Sequence, residues 1–312
     1  MSIAIIGQEK YAFQDLVCIE TMLRFFTHDE ATLFIEPEGG EDAELTLNLD
    51  GHETTLEIQV KGARGAVTQA EIAACLAHAP PHKAEPTLFD RVLNDTHRQA
   101  VLVMSGRADD ACARYLGSCN WHGEAHDTSK LTHEHAGQLL AAYAAANVGG
   151  KPDGPLATRR RERNKERAAA LDYHDVFPTL SRLIVFDQVD DTRLQACCSE
   201  HLRRDHRVPS DRIEAVLQEL HSAVVEAKKS KLDAFPLVRS IISKASPSSI
   251  EPEGYVPRGL EHELFDALSR DNVLLLSGMP RVGKSYTARS VAEQFMGSGY
   301  DVREFVDVKA AD

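Results

Sequence analysis

Asp42-Ala-Glu-Leu-Thr-Leu-Asn-Leu-Asp50 and Glu57-Ile58-Gln59-Val60-Lys61, with Gly51 at the turn between the two runs, decide how this chain folds. Successive side chains of a strand point to opposite faces. Leu45, Leu47 and Leu49 therefore share one face, and Asp42, Glu44, Thr46 and Asn48 the other. In the second run Ile58 and Val60 face one way, and Glu57, Gln59 and Lys61 the other. The whole of 42–61 reads as a β-hairpin. Antiparallel pairing brings its two ends together, so an acidic group, an amide oxygen with a second carboxylate, and a lysine gather at one end of a sheet. The bland alternative is a solvated hairpin face, where mixed charges are ordinary.

The neighbouring segments extend this into an α/β unit. Lys10–Phe26 has helical spacing, with Phe13, Leu16, Val17, Leu23 and Phe26 inward and Glu20 on or beside the apolar stripe. Thr32–Glu36 reads as a first strand, and Pro37-Glu-Gly-Gly40 as the loop that delivers Glu41-Asp42 to the hairpin. Thr68-Gln-Ala-Glu71 opens a helix with a capping box. Gln99–Met104 and Leu183–Asp187 supply two more strands of the same sheet. The order helix, three strands, helix, strand is the result.

Hard oxygen donors such as the Asp42 carboxylate and the Gln59 amide oxygen suit Mg²⁺, with Mn²⁺ as a substitute. A lysine beside them can orient a water or stabilise charge on a phosphate. On these residues the hairpin resembles the PD-(D/E)XK nuclease superfamily, in its Mrr-type branch and in the endonuclease effectors of cyclic-oligonucleotide (CBASS) defence, where Gln59-Val60-Lys61 stands for the last motif. The resemblance implies Asp42, Gln59 and Glu57 as metal ligands, Lys61 as the catalytic lysine, and Glu20 as a supporting carboxylate. It implies a mixed sheet flanked by helices that cleaves double-stranded DNA.

Composition sets the frame. The chain has 312 residues, a net charge of −13 and six cysteines with no Cys-x-x-Cys pair. Buried thiols are expected rather than disulfides or a zinc ribbon. No run is long and apolar enough for a bilayer and no signal peptide is visible, so the expectation is a cytoplasmic protein without a membrane partner. The acidic balance argues against a general DNA-coating role. The dense basic run Arg159–Arg167 is either a phosphate contact or a salt-bridged helix face. Cys119–His126 and Thr132–His135 offer zinc-ligand chemistry at spacings that match no finger, so loop and helix-surface histidines are the preferred reading.

A second site lies near the end. Val273–Ser277 reads as a short buried strand, followed by Gly278, Met279, Pro280, Arg281, Val282, Gly283, Lys284 and Ser285, then a helix over Tyr286–Phe295. This is Gly-x-x-x-x-Gly-Lys-Ser in a strand–loop–helix setting. Backbone N–H groups of such a loop form an anion cradle, with Lys284 on the β- and γ-phosphates and the Ser285 hydroxyl on Mg²⁺. The motif, with a helix over Arg258–Arg270 and a strand over Asp301–Val308, resembles the P-loop of STAND NTPases. Those proteins need a Walker B carboxylate and sensor residues further on, so the expectation is a truncated NTPase segment that would bind ATP in the full-length protein.

The expected organisation is a nuclease domain at 1–190, a helical connector at 191–244, a linker at 245–257 and the NTPase segment at 258–312. The combination resembles AVAST-type anti-phage proteins. That implies activation by self-association, as dimer or tetramer, after a phage protein is recognised by a C-terminal sensor. The competing expectation is a non-cleaving, nucleotide-binding signalling scaffold whose N-terminal domain binds nucleic acid.

Overall fold

A computed structural model describes residues 3–38, 41–49, 51–62, 65–80, 83–112, 131–146, 154–246, 256–271, 273–277, 279, 282–298, 300 and 302. The chain divides into two compact units, Met1–Gln195 with His221–Pro236, and Ala196–Leu220 with Leu237–Asp312. No helix among the described residues is long and apolar enough to cross a membrane.

In the first unit the elements run α1 (Ile3–Arg24), β1 (Thr32–Ile35), β2 (Ala43–Leu49), β3 (His52–Lys61), α2 (Gln69–Leu76), α3 (Leu88–Asn94), β4 (Arg98–Met104), α4 (His133–Ala144), α5 (Pro155–Ala170), α6 (Tyr173–Leu180) and β5 (Leu183–Phe186). The sheet has five strands in the order β1-β2-β3-β4-β5. Pairing is antiparallel from β1 to β3 and parallel from β3 to β5. The hairpin closes at Gly51, whose φ of 82° suits a residue without a Cβ. Its register pairs Ala43 with Ile58 and Glu44 with Glu57.

Both faces of the sheet are covered, and this settles the fate of the polar stripe. Leu33, Ile35, Ala43, Leu45, Ile58, Val60, Val101 and Val103 are buried together with Phe13, Val17, Met22 and Leu23 of α1, which packs on β3. On the reverse face, Glu57 pairs with Ala100, Gln59 with Leu102 and Lys61 with Met104. Those β4 residues belong to a core built with Ile72 and Leu76 of α2, Leu88 and Val92 of α3, Leu139 and Tyr143 of α4, and Val176 and Leu180 of α6. Each such fully buried aliphatic side chain contributes roughly 1.5–3 kcal/mol. The solvated-face alternative is therefore overturned: Glu57 is 0% exposed and Gln59 2%.

The expected capping box is present, with Thr68 accepting from the Glu71 N–H and Glu71 accepting from the Thr68 N–H. Helices α3 and α6 carry the same device, Thr87 with Asp90 and Asp172 with Asp175. The Thr132–His135 histidines open α4 as a capped helix start, and Cys119–His126 lies outside the described residues. Cys18, Cys75, Cys112, Cys197 and Cys198 are buried free thiols.

Helices α7 (Asp191–Arg204), α8 (Ile213–Ser230), α9 (Phe235–Ala245), α10 (Glu261–Asp271) and α11 (Lys284–Gly297) follow. In the second unit Phe265 of α10 packs on Phe295 of α11, ring centroids 4.3 Å apart. Arg207 pairs with Glu293 at 2.6 Å. One expectation fails here. Val273–Ser277 has no strand assignment, and Val273 and Leu275 are 80% and 88% exposed. A strand is held by hydrogen bonds to neighbours, and among the described residues no segment pairs with this one. Gly278, Pro280, Arg281 and most of the expected strand 301–308 lie outside the described residues.

Candidate functional site

Asp42 stands one residue before β2. The register that pairs Ala43 with Ile58 places it across from Gln59. Its carboxylate oxygen Oδ2 accepts the Val60 N–H at 2.7 Å. The ladder partner that Val60 lacks beyond the end of β2 is thus replaced by a side chain, which meets the demand that buried N–H groups be paired. The Asp42 carbonyl in turn accepts from the Glu36 N–H at 2.9 Å and the Gln14 amide at 3.2 Å. The segment leading into β2 is held from three sides.

Gln59 lies two residues further along β3 than Glu57 on the same face, and its Oε1 is buried with no hydrogen-bond partner. A buried acceptor left unpaired costs roughly 1–3 kcal/mol. Lys61 ends β3 on that face, half-buried. Cys75 lies near the same charges. Burial above all, opposed by the charge of Lys61 and assisted by Glu41 and Asp42, pushes its thiol up to about 12. The structure thus brings Asp42, Gln59 and Lys61 together at one end of the sheet, beside Glu41.

Glu57 and Glu20 are placed differently. Both Glu57 oxygens are taken by Arg91 Nε, at 2.7 and 2.8 Å, and Oε1 also accepts from Arg98 at 2.6 Å. Arg91 reaches on to Glu41 at 2.6 Å, and Arg98 to Glu44 at 3.1 Å. Glu41 also meets His78 at 2.9 Å. Burial lowers the pKa of the Arg91 guanidinium, but hydrogen bonds and charge from Glu57 and Glu41 raise it overall. Glu57 is thus the centre of a buried ion network. Glu20 is bonded by Arg24 one helical turn on, at 3.0 Å, and its helix covers the Ile58 and Val60 face, not the face bearing Gln59. Among the described residues no group of three or more His, Cys, Asp and Glu is gathered as a metal site. A cation at Gln59 would therefore rest on the Asp42 carboxylate and the amide oxygen.

The basic run of α5 is split by its helix. Arg163 bonds Asp90 and the Tyr143 hydroxyl, Arg167 bonds Asp90 at 3.2 Å, and Arg160 bonds the Lys83 carbonyl at 2.8 Å. Burial pushes the Asp90 carboxyl up, but Arg163 and Thr87 outweigh it and hold it below its ordinary value. Asn164, on the same stretch, is 1% exposed with neither amide atom bonded. Arg163, Arg167 and Asp90 line an open cleft of about 630 Å³.

In the second unit Gly283 caps α11 with φ 84°, and Lys284 Nζ donates to the Met279 carbonyl at 2.9 Å. The Arg258 guanidinium lies against Gly283 and bonds the Val282 carbonyl.

The first unit is, by its fold, an α/β protein with a five-stranded mixed sheet flanked by helices. No family model matches the chain, and no curated protein does. Among solved structures, the chain resembles the Cap4 SAVED/CARF-domain containing receptor of Acinetobacter baumannii at 8% identity and a TM-score of 0.43, over 94% of this chain and 62% of that one. The same receptor with the cyclic trinucleotide 3'3'3'-cAAA gives 8% identity and a TM-score of 0.42, over 94% and 60%. With 2'3'3'-cAAA the values are 8% and 0.42, over 93% and 59%. The chain thus spans about three fifths of the length of these receptors. Likeness of this degree leaves function to be argued from the site itself.

Proposed function

We propose that the first unit is a metal-dependent endonuclease acting on double-stranded DNA, the effector part of an anti-phage protein switched on by self-association. The observation that carries this reading is the grouping of Asp42, Gln59 and Lys61 at one end of β3, with the Gln59 amide oxygen buried and unpartnered. A carboxylate and an amide oxygen are the hard donors that Mg²⁺ takes, so the residues present fit such a cation. Bound there, a divalent cation would supply polarisation of the scissile phosphate and a more acidic water. Lys61 would donate to a phosphate oxygen and stabilise charge developing on it. Asp42, held by the Val60 N–H, keeps its carboxylate fixed against β3. The arginines around Glu57 hold the strands in place and take no part in the reaction.

The Gly283-capped helix and Lys284 support a nucleotide role for the second unit, with ATP as the ligand. The defence setting and the phage trigger rest on the joining of the two sequence motifs in one chain.

The test is nicking of supercoiled plasmid by the whole chain in Mg²⁺ or Mn²⁺, at low and high protein concentration, beside Asp42→Ala and Lys61→Ala. The proposal expects cutting that rises steeply with concentration and is lost in both variants. Equal cutting by all three proteins contradicts it. Metal-independent DNA binding without cutting, even by artificially dimerised protein, would favour the scaffold.

A further inference from the structure

We propose that Arg91 is a positioning residue for the Asp42–Gln59 pair, an inference that rests on the hydrolytic reading above. The β2–β3 ladder begins at Ala43; Asp42, just outside it, is still tied to Glu36 after β1 and to Val60 of β3, whereas its neighbour Glu41 is tied through its side chain. Glu41 meets His78 at 2.9 Å and is tied to the sheet by Arg91, whose Nη2 bonds Glu41 Oε1 at 2.6 Å while its Nε bonds both oxygens of Glu57 on β3. Nη1 bonds the Pro86 carbonyl at 3.3 Å and orients the fork. A planar guanidinium with several donors in fixed directions can tie two carboxylates at a set separation, which an ammonium cannot. The arginine comes from α3, whose start is fixed by the Thr87–Asp90 box and by Asp90's bonds to Arg163 and Arg167. The Val60, Glu36 and Gln14 bonds hold Asp42 itself, and a helix remote in sequence adds the tie through its neighbour Glu41.

Arg98 provides the internal comparison. It bonds the same Glu57, but its second partner is Glu44. Glu44 and Glu57 are already register partners in the ladder. Arg98 therefore ties together residues that the sheet holds anyway, whereas Arg91 holds one that the sheet does not. Both arginines contribute to stability, but only Arg91 bears on the donor set.

The test is Mn²⁺ binding to the whole chain, followed by electron paramagnetic resonance, with thermal unfolding in parallel. Wild type, Arg91→Met, Arg91→Lys, Arg98→Met and Asp42→Ala are compared. The expected result is that wild type binds Mn²⁺, Asp42→Ala abolishes binding, and Arg91→Met weakens it roughly 10- to 100-fold, the scale for loss of an outer-shell partner. Arg91→Lys falls between, and Arg98→Met matches wild type in affinity despite a lowered Tm. If Arg98→Met weakens binding as much as Arg91→Met, the effect is general destabilisation and the positioning role is refuted. If Asp42→Ala abolishes binding but Arg91→Met does not, the positioning role alone fails. If wild type binds no Mn²⁺, the hydrolytic reading itself fails and takes this inference with it.

Discussion

Glu57→Gln separates an anchoring carboxylate from a metal ligand. Glu57 is fully buried and bonds two arginines. The amide keeps the shape but removes the charge, so Arg91 and Arg98 lose their shared partner. Removing one member of a buried ion pair costs about 3–5 kcal/mol. Here each arginine keeps a second carboxylate, Arg91 with Glu41 at 2.6 Å and Arg98 with Glu44 at 3.1 Å, which places the cost at the lower end. At about 2–4 °C per kcal/mol for a unit of roughly 150–250 residues, a loss of about 3 kcal/mol lowers Tm by about 6–12 °C. The assay is thermal unfolding by circular dichroism, with urea unfolding to check the free energy. A Tm equal to wild type, joined to loss of Mn²⁺ binding, would refute the anchoring role and return Glu57 to the metal.

Two further outcomes follow from the α5 contacts. Asp90 has its carboxyl held below its ordinary value by Arg163 and Thr87, so its ionised form stabilises the fold at neutral pH and that contribution is lost as pH falls from the ordinary carboxylate range through the lowered value. Tm of wild type and Asp90→Asn measured against pH should therefore differ at pH 7 and converge in acid; a constant gap across the range would show that the charge is irrelevant. Asn164 is buried with both amide atoms unbonded, so Asn164→Leu should raise stability by about 1–3 kcal/mol in urea unfolding; a loss of that size would mean the amide has a bonded partner, such as a buried water.

The hairpin and its neighbours were legible because a half-apolar strand writes its period of two directly into the sequence. Leu45 and Leu47 alternate with Glu44 and Thr46, and the structure buries the leucines accordingly. The capping box at Thr68 was readable for a similar local reason. Helix α3 was not read: it is seven residues long, and its box closes with Asp90 in place of Glu or Gln. With α3 went Arg91, which bonds Glu57 and Glu41 beside the candidate site. The ion network was illegible because its partners are distant, Arg91 standing 50 positions from Glu41 and 34 from Glu57. No local pattern encodes such a pairing. The same limit explains the basic run, whose arginines at 160, 163 and 167 share one helical face and turn to α3 and the loop before it. The segment 273–277 misled in the opposite direction. Its apolar residues satisfy the composition of a buried strand, but a strand also needs neighbours to pair with, and composition does not report them.

The most direct measurement of the central claim is plasmid nicking by the whole chain and by Lys61→Ala in Mg²⁺. Lys61 is half-buried at the end of β3, and the described residues give it no ion pair, so its loss should leave Tm close to wild type. The account predicts an undiminished fold and abolished nicking in Lys61→Ala. Nicking at the wild-type rate by the folded variant would contradict it.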